Sequence, residues 1–160
     1  MMKFYRTVLL ASSVALLAAG CASGPQYKEM AGSIPTLTAD HGRIYFLRSN
    51  SIVGAAIQPQ IKLNGTAIGH SKPGGFFYID EPAGQYTVST QTETEKTVSF
   101  ALDAGETKYV RTSVSLGLLV GRVVPSLEEP DSGAKEIEEL KYTGGSDERD
   151  DVVRSDPNKL

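Results

Sequence analysis

A chain of 160 residues with a single cysteine and two histidines is one domain's worth of sequence. It can bury about two-thirds of its unfolded surface without a cross-link, and a lone cysteine cannot cross-link its own domain. There are 16 basic and 19 acidic residues, and two of the bases, Lys3 and Arg6, precede Cys21. The remainder is mildly acidic, which excludes binding to nucleic acid by bulk charge.

Taken in order, the chain opens with Lys3 and Arg6 and continues with an apolar stretch over residues 8–19, broken by Ser12 and Ser13. That core is about 12 residues, and a spanning helix needs about 20. A basic flank, a short apolar core and an exit of small residues predict a cleaved secretory signal. The run ends in Leu17-Ala18-Ala19-Gly20-Cys21. Ala18, Ala19 and Gly20 let the backbone enter a peptidase cleft extended, and a cysteine thiolate is a nucleophile that can take a lipid. The stretch resembles the lipobox of bacterial prolipoproteins, although Ala18 stands where that box most often has leucine and Leu17 sits one step earlier. The resemblance implies cleavage between Gly20 and Cys21 and acylation of Cys21. Ala22, where aspartate would favour retention in the inner membrane, implies the periplasmic face of the outer membrane. The alternative is the outer leaflet of the inner membrane.

Residues 22–41 contain Pro25 and Pro35 among small polar residues and read as a tether, with one turn at residues 27–30 and with Ile34 and Leu37 docking on the domain. A β-rich domain then spans residues 42–142. Arg43-Ile44-Tyr45-Phe46-Leu47-Arg48 is β-branched and aromatic, the pattern of a central strand. Gln60-Ile61-Lys62-Leu63 meets Asn64-Gly65, the strongest short hairpin signal, and Thr66-Ala67-Ile68-Gly69-His70 returns. Phe76-Phe77-Tyr78-Ile79-Asp80, Tyr86-Thr87-Val88-Ser89-Thr90 and Lys96-Thr97-Val98-Ser99-Phe100-Ala101-Leu102 follow, with Val98, Phe100 and Leu102 on one face. Thr107 to Val114 is the last regular strand expected. Short strands at this spacing, with no βαβ rhythm, predict a small antiparallel β-sandwich. Pro130 and Asp131 open a short C-terminal helical segment over residues 133–141, docked by Ile137 and Leu140. Residues 143–160 read as a disordered tail.

Two resemblances attach to this stretch. Leu63-Asn64-Gly65 followed by Pro82-Ala83-Gly84-Gln85-Tyr86-Thr87-Val88 is similar in architecture to PEGA-type and carboxypeptidase-regulatory-like β-sandwich modules. Over residues 42–144, Gly42-Arg43-Ile44-Tyr45-Phe46, Val53-Gly54-Ala55-Ala56, Pro73-Gly74-Gly75-Phe76-Phe77, Ala104-Gly105-Glu106-Thr107, Val120-Gly121-Arg122 and Glu139-Leu140-Lys141-Tyr142 resemble a family of bacterial lipoproteins, domain-of-unknown-function family 2846. That resemblance implies a fold and an envelope location and brings no catalytic residues.

Residues that carry chemistry are few. Lipid on Cys21 leaves no thiol nucleophile. His41 lies on the tether and His70 beside a hairpin end, and no zinc or calcium spacing accompanies them. Lys72-Pro73-Gly74-Gly75 lacks the phosphate-loop lysine and hydroxyl that should follow its glycines. Asp80 and Glu81 alternate across a strand, and Glu93 and Glu95 read as a solvated turn tip. Two apolar, glycine-broken loops stand out, residues 51–57 and 116–121. Val53, Ile57, Leu116, Leu118, Leu119 and Val120 are the candidate interaction patch, for an envelope protein, a lipid chain or the membrane surface; the competing account is that both loops close the sandwich end. The function expected is a non-enzymatic, lipid-anchored envelope lipoprotein with a structural or accessory role, without metal or cofactor beyond the lipid. The alternative is a periplasmic module binding a saccharide, peptidoglycan fragment or small ligand through aromatics among Tyr45, Phe77, Tyr78 and Tyr109. A hydrolase is the least supported reading, for want of a nucleophile–base pair.

Overall fold

A computed structural model describes residues 22–118 and 121–144. The signal run with Leu17, Ala18, Ala19, Gly20 and Cys21, together with Leu119, Val120 and most of the C-terminal tail, lies outside the described residues. The strands in chain order are β1 (His41–Arg48), β2 (Gln60–Leu63), β3 (Thr66–His70), β4 (Gly75–Pro82), β5 (Gly84–Gln91), β6 (Glu95–Leu102), β7 (Thr107–Ser115), β8 (Arg122–Glu128) and β9 (Lys141–Tyr142). They form a β-sandwich of two sheets, one with the order β8-β7-β1-β4-β9 and one with the order β3-β2-β5-β6. The turn between β2 and β3 has positive φ at both Asn64 (48°) and Gly65 (85°), as the tight hairpin requires.

Two features depart from the sequence expectation. The sandwich is not wholly antiparallel, because β1 pairs parallel with β7 and β4 parallel with β9. A parallel pair needs a long crossover. That crossover is usually a helix, but between β1 and β7 the chain instead lays down the whole four-stranded sheet, so no βαβ rhythm marks it. The strand β8 also went unexpected. It carries Pro125 opposite Thr112, and a strand with proline is confined to a sheet edge, where its missing N–H costs nothing. β8 is such an edge.

Alternation along β1 builds two cores, one on each face of the larger sheet. Ile44 and Phe46 point between the sheets and join Ile61, Leu63, Ile68, Phe77, Val88, Phe100, Leu102 and Val110. Tyr45 and Leu47 point outward and join Phe76, Tyr109, Ile137 and Leu140. The outer core is covered by the helix α2 (Pro130–Ile137), after the single-turn α1 (Tyr27–Met30) near the N-terminus. α2 begins at Pro130, a proline in its first turn, where the absent N–H is tolerated. The expected helix end at residue 141 is a strand instead, since Lys141 and Tyr142 pair with Gly75 and Phe76.

The stretch expected as a tether is built into this outer layer. Tyr27 meets Tyr45 and Phe76 edge-on at 5.9 and 5.5 Å between ring centres, and Met30 and Ile34 pack on the same cluster. The backbone is pinned as well. Tyr27 N–H donates to Leu140 O at 3.0 Å and Tyr142 N–H to Pro25 O at 2.8 Å. Arg43 donates to both carboxylate oxygens of its cross-strand neighbour Asp80 at 2.7 Å, and its Nη2 also donates to Pro35 O. The guanidinium lies 4.7 Å above the Tyr78 ring. The Asp80 carboxylate raises its pKa, against burial that acts the other way. Arg43 therefore fastens the end of the N-terminal segment to the sheet.

A side chain at Gly24 would run into the Tyr142 carbonyl. Gly24→Ala is therefore expected to displace the segment at a cost of about 1–3 kcal/mol, as overpacking does. Hydrogen exchange should accelerate at the Tyr27 and Tyr142 amides while the core between the sheets stays protected. Unchanged exchange at both amides would show that the close approach is not a constraint.

Candidate functional site

The register places several loops at one end of the sandwich. β1 finishes at Arg48 opposite Gly75, where β4 begins. β7, parallel to β1, finishes at Ser115 opposite Arg122, where β8 begins. Loop 49–59, the described residues 116–118 and 121 and the turn at residues 71–74 therefore share this end. The turn between β5 and β6, closed by Gln91 and Glu95, joins them, since Leu118 N–H donates to the Glu93 carboxylate at 3.1 Å.

Arg48 organises this end. It is the last residue of β1 and points into the mouth between the sheets, 3% exposed. Its Nη1 donates to Ile57 O at 2.6 Å and to Ser71 O at 2.9 Å, and its Nη2 to Gly54 O at 2.8 Å. One guanidinium thus gathers carbonyls from two loops, using the planar spread of donors that lysine lacks. Burial pulls its pKa below the ordinary arginine value. Ser71 and Thr112 share a hydroxyl hydrogen bond at 2.7 Å beside it. The loop wraps tightly around this centre, with Ile57 N–H bonded to Gly54 O at 2.9 Å. Gly54 has φ of 70° and lies so close to Val114 that an added side chain would overlap it.

The two apolar loops meet at this joint. Ile57 and Val114 pack against Gly121, and Ile57 is half-buried. The tips point away. Ile52 is 93% exposed, Val53 68%, Leu116 95% and Leu118 90%. The described part of each loop thus divides, Gly54 and Gly121 closing the sandwich end while Ile52, Val53, Leu116 and Leu118 face solvent. Leu119 and Val120 of the candidate patch lie outside the described residues, and Ile52, which was not among the expected patch residues, is one of its most exposed members. A large β-branched residue directly before Val-Gly was the signal for it.

Other candidates find different places. His41 is the first residue of β1 rather than part of a tether, and its Nδ1 meets both Thr38 Oγ1 at 2.7 Å and Asp40 Oδ1 at 2.8 Å. Both partners use one ring nitrogen, whereas a relay from carboxylate to nucleophile needs the two nitrogens on different partners. His70 ends β3, half-buried. Asp80 is held by Arg43. Glu93 is not a simple solvated tip, because its side chain is 15% exposed and lies 3.5 Å from Arg122 Nε. Tyr45, Phe77 and Tyr109 are buried in the two cores and Tyr78 lies under Arg43, so these rings are used in packing and do not form a stacking face. Two clefts flank the apolar loop. One of about 210 Å³ is lined by Arg48, Ser49, Ser51, Val53, Thr112, Ser113 and Val114. The other, about 420 Å³, runs along Ala56, Ile57, Gln58, Pro59, Gln91, Thr92 and Glu93. Neither lining includes an aromatic side chain.

The sequence profile of the DUF2846 family, described as a protein of unknown function, matches residues 38–123. The chain belongs to this family. The family span runs from the turn before β1 into β8, so it contains Arg48, the three carbonyls that Arg48 holds and both apolar loops, while α2 and β9 lie beyond it. An uncharacterised protein of Haemophilus influenzae (strain Rd) is similar, at 26% identity over 132 residues that cover 79% of this chain and 78% of the relative. No solved structure matches. Among the described residues, no helix is long and apolar enough to cross a membrane.

Proposed function

We propose that this chain is an envelope lipoprotein, held by lipid on Cys21, whose folded domain has a structural or accessory and non-enzymatic role. The observation that carries the reading is the run Leu17-Ala18-Ala19-Gly20-Cys21 behind Lys3, Arg6 and a short apolar core. Its small residues give a peptidase an extended backbone to cut, and the cysteine sulfur accepts the lipid. Two acyl chains on one residue give stable anchoring where one gives only marginal binding. The neighbourhood of Ala22 supports the reading. Ala22 is 8% exposed and its N–H donates to Pro73 O at 3.3 Å, so the residue after Cys21 is a seated part of the domain. Ala22 in place of aspartate favours the outer membrane, facing the periplasm. A non-enzymatic role fits the way His41 and Asp80 spend their contacts on local structure, and an accessory role predicts a protein partner in the envelope.

The test is metabolic labelling with palmitate and fractionation of membranes. The wild type is expected to carry label and to sediment with the outer membrane, and Cys21→Ser to lose label and appear in the soluble periplasm. An unlabelled wild type in the soluble fraction would overturn the reading. Crosslinking in intact envelopes, followed by capture, then tests the accessory role; recovery of nothing beyond the Cys21→Ser control counts against it.

A further inference from the structure

We propose that Ile52, Val53, Leu116 and Leu118 insert into the bilayer surface beside the lipid on Cys21 and hold the domain in one orientation on it. The proposal rests on the lipid-anchored reading and adds a second, non-covalent membrane contact to it.

Ala22 seats on the turn that precedes β4. Its N–H bonds to Pro73 O, and an added side chain at Gly75 would lie 3.2 Å from the Ala22 Cβ. The same turn touches the start of the apolar loop, with Gly74 N–H bonded to Ser49 O at 3.4 Å and Asn50 packed over Gly74. The chain therefore leaves the domain toward Cys21 at the end where loops 49–59 and 116–121 emerge. Consecutive Cα atoms are about 3.8 Å apart, so the lipid-bearing residue starts within a few ångströms of Ala22. With Ala22 fixed, no slack remains to lift the loop tips far from the surface that holds the lipid.

Composition agrees with position. The exposed large apolar residues among those described are these four and Leu127, and Leu127 lies toward the far end of β8. Apolar exposure is thus concentrated at the Ala22 end. The tips are aliphatic and sit on separate loops rather than on one flat face. Four side chains fall well short of the about 20–30 residues a side that a stable protein interface uses, whereas a bilayer rewards apolar area buried from water without asking for a matching shape. The loops are also held in place to insert. Arg48 pins the first through Gly54 O and Ile57 O, and Glu93 pins the second through Leu118 N–H.

The test uses acylated protein purified from membranes and reconstituted in vesicles of phosphatidylethanolamine and phosphatidylglycerol. Cys21 is the only native cysteine, so lipidation leaves an introduced cysteine as the single free thiol. Leu118→Cys and Ile52→Cys replace almost fully exposed side chains and take an environment-sensitive fluorophore. Thr66→Cys, exposed at the opposite end beside the β2–β3 turn, is the comparison. With vesicles, the probes at residues 118 and 52 are expected to shift their emission to the blue, to lose quenching by aqueous iodide and to be quenched by spin-labelled lipid, while the probe at residue 66 changes in none of these. Protein that floats with the vesicles but keeps both loop probes accessible to iodide overturns the insertion and leaves the anchor standing. Loop probes shielded in native envelopes but open in vesicles also overturn it, in favour of a protein partner. Protein that does not float at all, with Cys21 itself taking up the thiol reagent, overturns the anchor and the insertion together.

Discussion

Replacing Phe46 by alanine is expected to cost about 3–5 kcal/mol, the range for a fully buried phenylalanine. Against a total of about 5–15 kcal/mol for a domain of this kind, that loss puts the folded state at risk. Phe46 is 1% exposed and Phe77 2%. Their rings stack at 4.9 Å between centres, with planes 17° apart. The pair stands side by side on β1 and β4, which are neighbours in register at these residues. Phe77 also reaches across to the other sheet, where its ring lies so close to Gly69 that an added side chain there would approach Cζ to 2.8 Å. The stack is thus the joint between the sheets, and alanine at residue 46 leaves a cavity that neighbouring strands fill poorly. Urea unfolding checks the prediction. The midpoint should fall with the slope unchanged, and the double substitution with Phe77→Ala should lose less than the two single losses added together, since contacting residues couple. A loss below about 1 kcal/mol would mean that the sheets are held mainly elsewhere.

The Phe46–Phe77 joint was legible in the sequence only as far as local pattern reaches. Alternation in Lys96 to Leu102 and the Asn64-Gly65 turn identify strands and a hairpin because both depend on neighbours in the chain. The direction in which β1 and β7 pair depends instead on the route of everything between them. The docking of Ile34 was expected, but that of Tyr27 and Met30 was hidden for a similar reason. Pro25, Pro35 and the small residues around them have the composition of a linker, while the surface that receives them is made by Tyr45, Phe76 and Leu140 from three distant elements. In the candidate site, the apolar loops could be read from composition alone. Which of their residues close the domain and which face water could not, because that division is made by Gly54 and Gly121 meeting Val114 and Ile57 across the chain. Arg48 carried no signal at all. A cation ending an apolar strand reads as the point where the chain meets solvent, and only the convergence of three loop carbonyls turns it into an interior residue.

That interior position makes Arg48 the second sensitive point, and the one closest to the site. Arg48→Met keeps much of the volume and removes every donor. A buried arginine can often be replaced by a hydrophobic residue at little cost when its partners are replaced as well. Here the partners are the backbone carbonyls of Gly54, Ile57 and Ser71, which no substitution deletes. An unsatisfied buried acceptor costs about 1–3 kcal/mol. Loop 51–57 is at the surface and regains water for some of its carbonyls by opening, so the expected loss is about 2–4 kcal/mol rather than the full sum of three such costs. Opening has its own signature. Exchange of the Ile57 amide should accelerate far more than that of the β1 amides, because its partner, Gly54 O, lies in the released loop. Arg48→Lys should fall between the two, since one ammonium cannot reach Gly54 O on one side and Ile57 O and Ser71 O on the other with the fixed spread of a guanidinium. Stability within about 0.5 kcal/mol of wild type, with unchanged exchange at Ile57, would show that the loop is held by its own turns. Loss of loop order with the core intact would place Arg48 as the residue that shapes the apolar tips for whatever surface they meet.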